Sequence, residues 1–156
     1  MCNQDHQQHL QNAPLSSLYG YISRRIEAHL TTLLRPYELG LEQMIALLIL
    51  QKEGCINVSQ LSEYMLKDKT TTSRLITSLE SKGLVKKCQD NKVGKKDKRI
   101  VYLHLTKNGE EKIAEVKSSH IQSQMEQIFE NALGAKQKKE LKSMLLKIIE
   151  VLDEKD

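Results

Sequence analysis

At 156 residues, the chain is the size of one domain able to bury its own core. Lys and Arg outnumber Asp and Glu by 24 to 20, for a formal net charge of +4; so mild an excess neither demands nor excludes a polyanionic partner. The odd cysteine set, Cys2, Cys55 and Cys88 with no CxxC spacing, excludes a disulfide framework or a zinc knuckle, and the longest apolar run, Met44 to Leu50, is too short for a membrane span of about 18 residues.

Residues 1–14 are Gln-rich, polar and without a periodic apolar face, and are expected to form a flexible arm. They also lack the apolar stretch of a signal peptide, so a soluble, reduced, cytoplasmic protein is expected. Aromatic residues make up only 4% of the chain and there is no Trp. The abundance of Leu, Ile, Met, Lys, Glu and Gln favours a mainly helical fold.

From Leu15 the pattern changes. Leu18, Tyr19, Ile22, Ile26, Leu30, Leu33 and Leu34 recur at three- and four-residue steps, the signature of a long amphipathic helix that Pro36 and Gly40 interrupt. From Leu41 to Gln51 the apolar residues are nearly continuous, which predicts a second helix buried on most sides, ended by Gly54. Cys55-Ile56 predicts a short strand. Asn57 followed by Gln60 has the spacing of a reciprocal helix cap, and the helix it opens buries Val58, Leu61 and either Met65 or Leu66.

Leu66-Lys67-Asp68 predicts a short turn, with Asp68 capping a fourth helix that runs to about Lys82 and stops at Gly83. Thr72, Leu75, Ile76 and Leu79 share one side of that helix. Lys69, Thr70, Thr71, Ser73, Arg74 and Thr77 are left to the other. Two strand candidates follow, Leu84 to Cys88 and Ile100 to Leu105, joined by a polar loop. Thr106 can cap a further helix, although Asn108-Gly109 near its start weakens that reading. Ile113, Val116, His120, Ile121, Met125 and Ile128 form one stripe. Beyond Gly134, Leu141, Met144, Leu145, Ile148, Ile149 and Leu152 form another.

The centre of the chain therefore reads as helix, turn, helix and hairpin. A helix-turn-helix lays its second helix in the major groove of DNA, with the N-terminal residues reaching base edges. On that helix Lys69 and the hydroxyl residues suit phosphate and sugar contacts, while Arg74 is long enough for a guanine edge. The charge collects in the hairpin. Between Leu84 and Lys107 lie Lys86, Lys87, Lys92, Lys95, Lys96, Lys98, Arg99 and Lys107, opposed only by Asp90 and Asp97. That segment carries +6, so the rest of the chain is −2. One basic wing on a neutral-to-acidic body points to polyanion binding at the wing.

Asp97-Lys98-Arg99 resembles the DxR wing signature of the MarR-type transcriptional regulators, and Leu105-Thr106-Lys107-Asn108-Gly109 resembles their LTxxG segment. Upstream, Asp68-Lys69-Thr70-Thr71-Thr72-Ser73-Arg74-Leu75 with Leu79-Glu80-Ser81-Lys82-Gly83-Leu84-Val85 is similar to their recognition helix. The likeness spans about Leu15 to Asp156. Where family members often carry a second acidic–basic pair earlier in the wing, this chain has Lys92-Val93-Gly94-Lys95-Lys96.

The resemblance implies a mainly α fold with a small β-hairpin, divided into a dimerisation helix (15–40), a winged helix-turn-helix lobe (41–105) and C-terminal dimerisation helices (106–156). It implies a homodimer on a palindromic stretch of double-stranded DNA, with recognition helices in consecutive major grooves. The wing residues Lys92, Lys95, Lys96, Asp97, Lys98 and Arg99 then reach the minor groove, with Arg99 entering or flanking it and Asp97 orienting an arginine. It further implies a repressor, less often an activator, released by a small aromatic or anionic effector; Tyr19, Tyr37, Met44 and Tyr64 are candidates to line its pocket.

Two alternatives stay open. One is a thiol-based redox sensor of the same fold, although Cys55 and Cys88 are expected as small buried residues on strands. The other is a winged-helix module that binds an acidic protein. His6, His9, His29, His104 and His120 are scattered without metal-ligand spacing, no motif of a nucleophile elbow, P-loop or HExxH type is present, and neither a metal, a cofactor nor an enzymatic activity is expected.

Overall fold

The computed structural model describes residues 10–89 and 101–154. The described residues fall into two compact units that divide between Val116 and Lys117.

In the first unit, α1 spans Leu15–Leu34 and is followed by a 3-10 turn over Arg35–Tyr37. Only Leu34 of α1 is buried, while Leu15, Tyr19 and Ile22 are 75%, 63% and 51% exposed. Glu38 then takes a left-handed conformation at φ 57° and turns the chain so that Leu39 becomes core. α2 (Leu41–Glu53) buries Met44, Ala46, Leu47 and Leu50. Against the expectation of burial on most sides, Ile45 and Leu48 are exposed. An unbroken apolar run hides which positions face the core, because the 3.6-residue period still turns some of them outward.

α3 (Val58–Met65) begins with the reciprocal cap expected from its sequence. The Gln60 amide N–H donates to Asn57 Oδ1 and the Asn57 N–H to Gln60 Oε1, each at 3.0 Å. The helix stops where Leu66 turns left-handed at φ 51°, which carries its side chain out to 91% exposure; Met65 is the half-buried member of that pair. α4 (Lys69–Ser81) packs on α3 and buries Thr72, Ile76 and Leu79 completely. Gly83, at φ 67°, provides its stop: the Gly83 and Leu84 N–H groups return to Glu80 O and Leu79 O.

The sheet has three antiparallel strands in the order β1-β3-β2. β1 is Ile56–Asn57, one residue later than expected, β2 is Val85–Gln89 and β3 is Val101–Leu105. Ile56 pairs with Leu103, which in turn pairs with Lys87. Ile56 and Leu103 are buried, whereas the Lys87 ammonium reaches Glu80 of α4 in an ion pair. α5 (Lys107–Ser118) opens on Thr106, whose Oγ1 accepts the Gly109 N–H at 3.1 Å. The Asn108-Gly109 pair that spoke against a helix here is part of the helix. Gly109 is needed because a Cβ at that position would lie 2.2 Å from Leu84 O.

In the second unit α6 spans Ile121–Asp153 and is broken by Gly134, whose φ 68° and ψ 169° are not helical. Lys138 bridges Glu126 at 2.7 Å and Glu130 at 3.3 Å. Residues 126 and 138 would be about 18 Å apart along a straight helix, so these ion pairs depend on the break. The Glu126 carboxyl is held below its ordinary range chiefly by the hydrogen bond from Lys138, and the Lys138 ammonium is raised chiefly by the same bond. Beyond Gly134, Met144, Ile148, Ile149 and Leu152 remain 48% to 58% exposed. No helix among the described residues is long and apolar enough to cross a membrane.

Candidate nucleic-acid interface

The candidate interface is built on α4, whose orientation follows from its two faces. Burial of Thr72, Ile76 and Leu79 against α3 and the sheet turns the opposite side to solvent, and Lys69, Thr70, Thr71, Ser73, Arg74 and Thr77 are all exposed there. Thr72, though a hydroxyl residue, belongs to the core, where its Oγ1 donates to Asp68 O at 3.0 Å and so satisfies the buried polar group.

The hydroxyls on the exposed face are not equivalent, a distinction that spacing alone does not reveal. The Thr71 hydroxyl donates to Asp68 Oδ2 at 2.7 Å while the Thr71 N–H donates to Asp68 Oδ1 at 2.8 Å. With its proton engaged, Thr71 Oγ1 offers only lone pairs to an incoming group. Thr77 likewise donates to Ser73 O at 3.0 Å. Lys69, Thr70, Ser73 and Arg74 make no side-chain hydrogen bond or ion pair among the described residues, which leaves their donors available for phosphate oxygens or base acceptors. Hydrogen bonds from the side chain and backbone of Thr71 hold the Asp68 carboxyl below its ordinary value of 3.8. Asp68 thus stays ionised at the N-terminus of α4, where a negative charge complements the helix dipole.

The C-terminal end of α4 is tied down by a network that sequence inspection misses. Gln43 Nε2 donates to Ser78 Oγ at 2.9 Å, and Gln43 Oε1 accepts from Lys82 Nζ at 2.9 Å and from the Gly40 N–H at 3.1 Å. Lys82 Nζ also donates to Glu38 O. Apart from Gly40, three residues before Gln43, these partners lie 35 to 44 residues apart in the chain, so no local motif marks the contacts with Ser78, Lys82 and Glu38.

At the hairpin, Lys86 is exposed and sits opposite His104 in the register. Thr106 anchors the root: its N–H donates to Leu84 O at 3.0 Å and its hydroxyl to Gly83 O at 2.6 Å. The expected wing residues Lys92, Lys95, Lys96, Asp97, Lys98 and Arg99 lie outside the described residues.

The four candidate effector-pocket residues are spread over α1 (Tyr19), the 3-10 turn (Tyr37), α2 (Met44) and α3 (Tyr64). Tyr19 and Tyr64 are exposed, Tyr37 is half-buried and Met44 is in the core. A cavity of about 410 Å³ lies instead in the second unit, lined by polar residues including His120, Gln127, Glu130 and Lys138. Cys55 departs from its expected burial: it is exposed just ahead of β1, with Sγ 3.3 Å from His104 Nε2, while Cys88 is half-buried. No group of three or more metal-ligating side chains occurs among the described residues.

Residues 39–101 match the model of the MarR family. No curated protein matches the chain. Among solved structures, a MarR transcriptional regulator from Methanosarcina mazei Go1 is 27% identical, with a TM-score of 0.78, and the alignment covers 91% of this chain and 98% of that one. A mutant MarR from E. coli complexed with operator DNA is 23% identical, with a TM-score of 0.78 over 88% of this chain and 95% of that one. The S. aureus MepR–DNA complex is 22% identical, with a TM-score of 0.77 over 90% and 99%. The last two likenesses establish the fold, and the mainly helical chain with its small antiparallel wing sheet has it.

Proposed function

We propose that the chain, whose residues 39–101 match the MarR family model, is a homodimeric winged helix-turn-helix repressor of that family that binds a palindromic operator through α4 and the wing. The observation that carries this reading is the division of α4, with its apolar side and Thr72 buried and its entire Lys, hydroxyl and Arg side open to solvent. The solved complexes of E. coli MarR with operator DNA and of S. aureus MepR with DNA support the same use of this fold. MarR-family transcription regulators are non-enzymatic, and no catalytic role is assigned.

Within this reading Arg74 contacts a base edge, and Lys69, Thr70 and Ser73 contact phosphate or sugar. Thr71 and Thr77 add acceptor contacts. Lys92, Lys95, Lys96 and Lys98 supply wing charge, Arg99 takes the minor groove and Asp97 orients an arginine. Residues 15–40 and 106–156 serve dimerisation, and residues 41–105 form the DNA-binding lobe. The exposed apolar side chains of α1 and of α6 beyond Gly134 support burial against a second copy, because a monomer rarely leaves so many large apolar residues in water. A small aromatic or anionic effector releases DNA by favouring a spacing of the two recognition helices that does not fit the duplex. The site of action is the cytoplasm.

A titration of the protein against duplex DNA over increasing salt tests the reading. Several phosphate contacts predict a steep, log-linear loss of affinity. Absence of binding to any duplex at low salt would reject DNA as the partner and favour an acidic protein. A second mode of control, a thiol switch, is favoured by one observation, the exposure of the Cys55 thiol beside His104, since an oxidant must reach the sulfur. Under that mode peroxide releases DNA and Cys55→Ser prevents the release; a variant that responds like the unmodified protein excludes it.

A further inference from the structure

The network at the C-terminal end of α4 joins parts of the lobe that none of the proposed DNA contacts uses. Its centre is one amide. Gln43 reaches Ser78 within α4 through Nε2, and through Oε1 it receives both Lys82, the C-cap of α4, and the Gly40 N–H that opens α2. Lys82 in turn donates to Glu38 O, at the left-handed residue where the chain leaves α1 for α2. Three of the four hydrogen-bonding capacities of the Gln43 amide are therefore used, two toward α4 and its C-cap and one toward the start of α2. Geometry of this kind fixes orientation, because rotating α4 about its own axis would break the Ser78 and Lys82 contacts together.

We infer that Gln43 is a positioning residue for DNA reading, which with Lys82 locks the recognition helix to the α1–α2 turn and so sets the separation of the two recognition helices in the dimer. The inference rests on the proposed reading, in which α1 belongs to the dimer interface and α4 reads DNA. It also assigns Lys82. An ammonium already donating to Glu38 O and Gln43 Oε1 is a clamp within the protein, although its exposure at the end of a recognition helix would suggest a phosphate contact. Glu38 is left-handed without being glycine, a conformation that persists only where its surroundings hold it, and the bond from Lys82 to its carbonyl is one such restraint.

Gln43→Leu, Gln43→Glu and Lys82→Met test the inference on the full-length protein, against duplexes whose two half-sites are separated by varied numbers of base pairs. Gln43→Glu keeps the acceptor for Lys82 and Gly40, so it should retain the spacing preference. Gln43→Leu and Lys82→Met should lose about tenfold in affinity at the preferred spacing while the other spacings weaken less, so that the preference broadens. The salt slope should stay unchanged for Lys82→Met, since no phosphate contact is removed. A loss of stability alone would weaken all spacings equally and leave the preference sharp; that result overturns the inference, as does a Lys82→Met salt slope lower by about one. Failure of the unmodified protein to bind any duplex would reject the DNA reading itself, and is distinguished by that control.

Discussion

Gly109→Ala offers a sharp structural test because the obstacle it meets is backbone. The added methyl would stand 2.2 Å from Leu84 O, and 3.2 Å from both Leu84 C and Leu105 Cδ2. A carbon and a carbonyl oxygen need about 3.3 Å or more, so α5 must move off the start of β2 by about 1 Å. Leu84 O cannot yield freely, since it accepts the Thr106 N–H at 3.0 Å, and Thr106 also binds Gly83 O. Overpacking of a tight site costs about 1–3 kcal/mol, and a backbone neighbour places this one near 3 kcal/mol. Alanine regains about 1 kcal/mol of helix propensity over glycine. The expected net loss is thus about 2 kcal/mol, a fall in melting temperature of about 4–8 °C for a chain of this length. Thermal unfolding at one fixed protein concentration measures it, since the stability of a dimer depends on concentration. Because Thr106 and Leu84 form the root of the wing, DNA affinity should fall in the same variant. A melting temperature that is unchanged or raised would refute the close approach, and with it the account of why a glycine stands inside the first turn of α5.

Arg74→Ala should relax sequence preference at one position of each half-site by about 1–3 kcal/mol, read by competition among single-base variants of the duplex. Lys95→Ala or Lys96→Ala should instead weaken all sequences alike and reduce the salt slope by about one. Asp68 is depressed below 3.8 in the folded chain, so its contribution is fully present above the unfolded value and is lost as the pH falls through the lower folded one. Asp68→Asn retains a capping oxygen but should remove that part of the acid limb, and stability curves for the two proteins that run parallel from pH 7 to pH 2 would contradict it. Ile149→Glu, at a position 50% exposed in the single chain, should raise the dimer dissociation constant about 100-fold by placing a carboxylate in an apolar interface; sedimentation at graded concentrations checks this.

The parts of the fold that were legible in the sequence are those written in local chemistry. Asn57 with Gln60, Asp68 before a threonine run and Gly83 after a periodic segment each satisfy orphan helix-end groups by contacts within a few residues, and each stands where expected. The exposed face of α4 was legible for a related reason, since the 3.6-residue period separates it from Thr72, Ile76 and Leu79. Features that depend on distant partners were not legible. Asn108-Gly109 argued against a helix because the Leu84 carbonyl that requires the glycine lies 25 residues away. Burial of α2 on most sides failed at Ile45 and Leu48 because apolar composition does not state which element covers which face. Cys55 was expected inside because it was placed on a strand, yet it lies just ahead of β1 and its Sγ meets His104 Nε2. The spacing of Gln43 after Gly40 is local, but nothing local marks its contacts with Ser78 and Lys82.

The central claim is that two copies of α4 read a palindrome in adjacent major grooves. Selection of bound duplexes from a random pool by the full-length protein tests it most directly. The account predicts enrichment of an inverted repeat with half-site centres about 10–10.5 base pairs apart, one helical turn of DNA. Recovery of sequences with no repeat, or with no enrichment over the starting pool, would contradict it.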